Sequence, residues 1–167
     1  MKELIILTFS ILLFGCGFQP IYKTTDASND QELNQKFASI KIEEIEGRMG
    51  YQLSNACAST FNPLSLDQQT RYTLAIKLDK SSEAIALQKN KEITRYNTTL
   101  TASYTLKDGS RNLDSGAIKM IGSYDATPSE YATYEAEQDV ISNNLIAICE
   151  QLKHRLAVVL TKDEKKL

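Results

Sequence analysis

The side chains able to do covalent or proton-transfer chemistry are few and scattered: the 167 residues include three cysteines and one histidine. His154 stands between Lys153 and Arg155, so its neighbours supply no carboxylate to orient the ring as a general base. A lone histidine with no CxxC pair does not make a zinc site. Neither GxxxxGKS/T nor GxGxxG occurs, which leaves a nucleotide phosphate without a glycine-rich cradle. The adjacent carboxylates Glu43-Glu44 and Asp163-Glu164 read as solvated charge, and Asn97-Thr98-Thr99 as a chance sequon. The expectation is a protein that is not an enzyme and takes no metal or cofactor. Cys57 and Cys149 fall on the apolar faces of predicted helices, where they could be bridged or remain buried thiols; spacing alone does not decide it. Cys16 is of another kind, flanked by Gly15 and Gly17 at the end of an apolar run.

That run, Leu4 to Phe14, is headed by Lys2, and no charged residue occurs between Glu3 and Lys23. A basic start, a short apolar segment and small residues behind it are the layout of an export signal. The run is shorter than the ~20 residues a membrane-spanning helix needs. With Leu13 three residues before the cysteine and Gly15 next to it, the segment resembles the lipobox of bacterial lipoproteins, whose cysteine is lipidated and becomes the new N-terminus. The organisation expected is a signal peptide over 1–15, a lipidated N-terminus and tether over 16–36, and a single domain over 37–167. The tether is expected because Lys23 to Lys36 is rich in Asp, Asn, Gln and Thr, with too few apolar residues to form core.

A net charge of −2 and the absence of any run of like charge exclude a phosphate-tracking, nucleic-acid-binding surface. Lys162, Lys165 and Lys166 are interrupted by Asp163 and Glu164 and read as a solvated tail. The chain behind Cys16 is long enough to bury a core without disulfides or metal.

The elements that must carry any functional side chain follow from periodicity. Phe37 to Glu46 alternates as a first strand, ended by Gly47. Arg48 to Phe61 is helical, with Met49, Leu53, Ala56, Cys57 and Thr60 on one face, and Asn62-Pro63 stops it. Arg71 to Asp79 alternates clearly and extends past Lys80-Ser81-Ser82 towards Leu87. A long strand from Ile93 to Leu106 points Tyr96, Thr98, Leu100, Ala102, Tyr104 and Leu106 inward, and Arg95, Asn97, Thr99, Thr101, Ser103 and Thr105 outward. Asp108-Gly109 signals a hairpin into Leu113 to Tyr124. Thr127, Pro128 and Glu130 form a capping signature for a last helix from about Ser129 to Leu160. Its stripe comprises Tyr134, Ile141, Leu145, Ile148, Leu152, Leu156, Val159 and Leu160. The fold expected is α+β: a mostly antiparallel four-stranded sheet with two helices packed on one face, in the order β-α-β-β-β-α. Its other face is polar, as antiparallel sheets allow.

Cys16-Gly17-Phe18-Gln19-Pro20-Ile21-Tyr22 resembles the CGF-x-P-L/I-Y opening of the LPS-assembly lipoprotein family (LptE), particularly its alphaproteobacterial members. The element order and long last helix are similar to that family too. The resemblance implies an outer-membrane, periplasm-facing lipoprotein, anchored through Cys16, that plugs a β-barrel partner, LptD, and assists lipopolysaccharide assembly. It gives the outward hydroxyls Thr99, Thr101, Ser103 and Thr105 a role as partner-facing groups. Position and charge then suggest Arg95, Lys107, Arg111 and Lys119 for the phosphates of lipopolysaccharide. Phe18, Pro20 and Tyr22 are expected to pack on the domain or its partner. Two other readings are an auxiliary lipoprotein of a lipid-transporting ABC system and a lipoprotein enzyme.

Overall fold

A computed structural model describes residues 27–87 and 93–164. Cys16, the signal segment, and Phe18, Pro20 and Tyr22 lie outside the described residues. The elements in chain order are α1 (Ala27–Ala38), β1 (Ile40–Ile42), α2 (Gly47–Phe61), β2 (Tyr72–Leu87), β3 (Ile93–Asp108), β4 (Arg111–Asp125) and α3 (Glu130–Glu164). A division between Asp30 and Gln31 falls inside α1 and sets off Gln31–Leu167 as one compact unit, which carries the whole sheet.

The sheet runs β1-β2-β3-β4 and is mixed, a correction to the mostly antiparallel sheet expected. β1 lies parallel to β2, with Ile40 opposite Tyr72 and Ile42 opposite Leu74. The cause is connectivity: α2 carries the chain back across the sheet between β1 and β2, and such a crossover returns a strand in the same direction. The remaining pairs are antiparallel, with Tyr72 opposite Asp108 and Arg95 opposite Asp125. The β3–β4 connection is a two-residue turn, and Gly109 takes φ +59°, a conformation glycine adopts without steric cost.

Helix α1 is a second correction, raising the described helices from the two expected to three. Where an irregular tether was expected up to residue 36, residues 27–38 are helical. Phe37, assigned to the first strand, is a helical residue instead, buried with its ring centroid 5.5 Å from that of Phe61. The first strand is correspondingly short, three residues rather than the ten from Phe37 to Glu46. Helix α2 stops where the Asn62-Pro63 step predicts, and the Asn62 side chain closes the turn by hydrogen bonds with the backbone of Leu66, both under 3 Å.

Helix α3 has 35 residues, which makes it roughly 50 Å long. Its cap is Ser129 rather than Thr127: the Ser129 hydroxyl accepts from the Ala132 N–H at 3.3 Å. Thr127 instead bonds Thr133, accepting nothing from the first helical turn's N–H groups. The inward stripe from Ile141 to Leu160 is buried as the periodicity requires except at Val159, which is partly buried, while Tyr134 is 47 % exposed and its hydroxyl accepts from Arg48. The close approach of α3 to β4 depends on Gly122, because a Cβ there would overlap Val140 Cγ1. One core gathers the inward faces of all these elements, from Leu53 and Cys57 on α2 through Leu74, Leu100 and Ile118 on the sheet to Leu145 and Leu152 on α3.

Candidate functional surface

Of the predicted inward residues of β3, Thr98, Leu100, Ala102, Tyr104 and Leu106 are buried, and Tyr96 is half-buried. The opposite face therefore carries Asn97, Thr99, Thr101, Ser103 and Thr105, because successive side chains of a strand alternate. Strand register extends this ladder sideways into cross-strand rows. Thr105 lies between Ala75 and Ser115, Ser103 between Lys77 and Ala117, Thr101 between Asp79 and Lys119, and Thr99 between Ser81 and Ile121. Ile121, 56 % exposed, is the one large apolar side chain among these rows. The buried side chains of the three helices join the core on the other side, so this surface is hydroxyl-rich, contiguous and uncovered among the described residues. Short hydroxyls of this kind both donate and accept, and they lose little side-chain entropy on being covered.

The four basic residues proposed for phosphate divide into two pairs. Arg95 donates from Nε to Asp125 Oδ1 at 2.6 Å across the β3–β4 ladder. That hydrogen bond holds the Asp125 carboxyl below its ordinary range and raises Arg95. Arg111 Nη2 lies 2.9 Å from Asp163 Oδ1 and 3.4 Å from Asp108 Oδ2, and Asp108 also takes Arg71 at 3.1 Å. Asp163 is buried there, which corrects its reading as part of a solvated tail. This network ties the β3–β4 turn and the start of β2 to the end of α3. Lys107 and Lys119 differ: both are exposed and, among the described residues, neither has a carboxylate within ion-pair distance. Lys119 stands beside Thr101, and Lys107 beside Thr73, so both free cations border the hydroxyl ladder.

Polar contacts, one part-buried and one exposed, stiffen the sheet beside this face. The Tyr104 hydroxyl donates to Asp114 Oδ2 at 2.8 Å, and its ring lies against Gly116, where a Cβ would come within 3.2 Å of the phenol oxygen. Burial, reinforced by the Asp114 carboxylate, pushes the Tyr104 hydroxyl above its ordinary value of 10.0. Arg155 reaches from α3 to the edge of the sheet and donates to the Ala117 carbonyl at 3.1 Å. Cys57 and Cys149 form a disulfide between α2 and α3, with Cα atoms 4.9 Å apart. His154 is exposed on α3.

Sequence reasoning did not find the Arg111–Asp163 pair, because the two residues are 52 positions apart and only the fold brings them together. It missed the Gly122 contact for the same reason, although an isolated glycine in a strand pattern is a signal of close approach.

No family model matches the sequence, and no curated protein matches it. Solved structures do share its fold. A lipoprotein structure from Caulobacter crescentus CB15 superposes with a TM-score of 0.62 at 19% identity, covering 79% of this chain and 97% of that one. The rare lipoprotein B of Shewanella oneidensis gives 0.60 at 9% identity, covering 74% of this chain and 99% of that one. A minor lipoprotein of Acinetobacter baumannii gives 0.55 at 11% identity, covering 71% and 90%. At these identities the likeness is one of fold.

Proposed function

We propose that this chain is a lipid-anchored outer-membrane lipoprotein that seats its bare sheet face in the lumen of a β-barrel partner, of the LptD kind, and assists lipopolysaccharide assembly. The observation that carries the reading is the uncovered hydroxyl ladder of β3, flanked by Lys107 and Lys119. An aqueous barrel interior is polar and presents donors and acceptors, and Thr and Ser hydroxyls can both donate to it and accept from it. The lipobox-like segment at Leu13–Cys16 supports the anchor, and neighbours described as lipoproteins share the fold. Cys16 is the lipidation site in this reading.

Lipopolysaccharide phosphates would fall to Lys107 and Lys119, whose charge is held by no carboxylate among the described residues. Arg95 and Arg111 are committed within the fold, so they act by shaping the face rather than by contacting phosphate directly.

Affinity purification from solubilised membranes, followed by identification of the bound protein, tests the proposal. Co-purification of a large outer-membrane β-barrel, lost when Thr101 and Ser103 are changed together to Glu, is the expected result. Recovery of an inner-membrane ABC complex instead would move the protein to an auxiliary role in lipid transport.

A further inference from the structure

Among the described residues, most of the β2 edge of the sheet is left open beyond β1, and the charges around it that lack an ion-pair partner are mainly acidic. Strand β2 runs for 16 residues, but β1 pairs only with Tyr72–Leu74. The Tyr72 N–H donates to the Ser39 carbonyl, and the Glu43 N–H donates to the Leu74 carbonyl. The backbone groups of Tyr72 and Leu74 therefore face β1. Backbone direction alternates along a strand, so the N–H and C=O groups of Ile76, Leu78, Lys80 and Ser82 point the same way. Beyond Ile42 no described strand meets them. Such a row is a template for one more strand.

The opposite edge of the sheet is treated differently. There α3 packs along β4, and Arg155 occupies the Ala117 carbonyl. Along the β2 edge, Lys77 pairs with Asp79 and Lys80 with Glu137. The charges left without an ion-pair partner among the described residues are Glu43, Glu44 and Glu83, against the single cation Lys41 on β1. Glu43 and Glu44 border a notch of about 280 Å³ where the chain leaves β1, its other walls including Ala75, Lys77, Ser103 and Thr105, so it opens at the margin of the hydroxyl face. Glu83 lies near the far end of the same edge, opposite Asn97 of β3.

We propose that the β2 edge from Ile76 to Ser82 is a docking site for an extended, basic segment of a partner polypeptide, which adds to the sheet as a strand beyond the end of β1. Its backbone pairs with the free groups of Ile76, Leu78, Lys80 and Ser82. Its cationic side chains meet Glu43 and Glu44 at one end and Glu83 at the other. Main-chain pairing supplies affinity and the carboxylates select the sign of charge. The site rests on strand geometry rather than on the role proposed for the hydroxyl face, with which it shares the notch walled by Ser103 and Thr105.

The test uses the full chain in detergent and a capped peptide of about eight residues alternating lysine and valine. Saturable binding is expected, with new amide-exchange protection at Ile76, Leu78, Lys80 and Ser82. A peptide with glutamate for lysine, and one N-methylated along a single edge, should each bind about tenfold more weakly or worse. Lys80→Pro removes an outward N–H without touching the β3 ladder and should weaken binding about tenfold relative to Lys80→Ala. If that variant misfolds, the N-methylated peptide decides the matter with the protein unchanged. Equal binding of the glutamate peptide, indifference to N-methylation, or protection at Ala117 and Lys119 instead would overturn the proposal. Concentration-dependent pairing of two copies through β2, seen by sedimentation, would overturn the assignment of the occupant.

Discussion

Individual side chains decide which surface groups are free and which are spent on the fold. Arg111 is half-exposed, yet its partner Asp163 retains only 9 % of its side-chain accessibility. Arg111→Ala would leave that carboxylate without its charged donor. The expected loss is about 1–2 kcal/mol in denaturant-induced unfolding, above that of a typical surface pair because one partner is buried. Tyrosines set the response to alkali. Burial raises Tyr72, Tyr104 and Tyr124 above 10.0 in the folded chain. A group that binds its proton more tightly when folded contributes stability that is fully present below the unfolded value and lost as pH rises through the folded one. The unfolding free energy should therefore fall from about pH 10 upward, and Tyr104→Phe should flatten that decline in equilibrium denaturation measured across the range. Inward and outward residues of β3 were legible from alternation alone, because a period of two is forced by backbone geometry. The partners of Arg95 and Arg111 were not, since ion pairs follow register and packing rather than local pattern.

Elements were legible in proportion to how strongly their own residues specify them. β3, β4 and α3 have long unbroken patterns, and their ends moved by only a few residues. α1 has few apolar residues in its twelve, with Leu33 and Phe37 packed on the core, too sparse a stripe to stand out from a polar tether. It is held by those tertiary contacts rather than by propensity. The parallel pairing of β1 was available in the β-α-β order, since a helix between neighbouring strands is a crossover and not a hairpin. The two long helices are joined covalently at Cys57 and Cys149 over a separation of 92 residues. On a chain-entropy account, closing a loop of that length stabilises by about 4–5 kcal/mol. A Cys57→Ser/Cys149→Ser variant should lose up to about that much, and reductant should lower the thermal midpoint of the parent while leaving the variant's unchanged.

At the scale of the whole molecule, the three described helices sit on one side of a sheet whose other side carries hydroxyls and two lysines without an ion-pair partner among the described residues. The order from β1 to the last helix and a wet face were readable in advance; the leading helix α1 and the openness of the β2 edge were not, the latter because it follows from how briefly β1 pairs. If Lys107 and Lys119 meet phosphate, Lys107→Glu/Lys119→Glu should weaken lipopolysaccharide binding about tenfold at low salt, with a smaller difference at high ionic strength. Unchanged binding in the double variant would falsify that assignment. The disulfide has one further consequence, a mechanical one. β2, β3 and β4 all lie between Cys57 and Cys149, so the covalent ring encloses the antiparallel sheet. Tension applied through the two chain ends bypasses everything inside that ring. In single-molecule stretching the oxidised chain should keep roughly 300 Å of contour length hidden, released only on reduction. A sheet face shielded in this way keeps its shape while the rest of the chain bears the load.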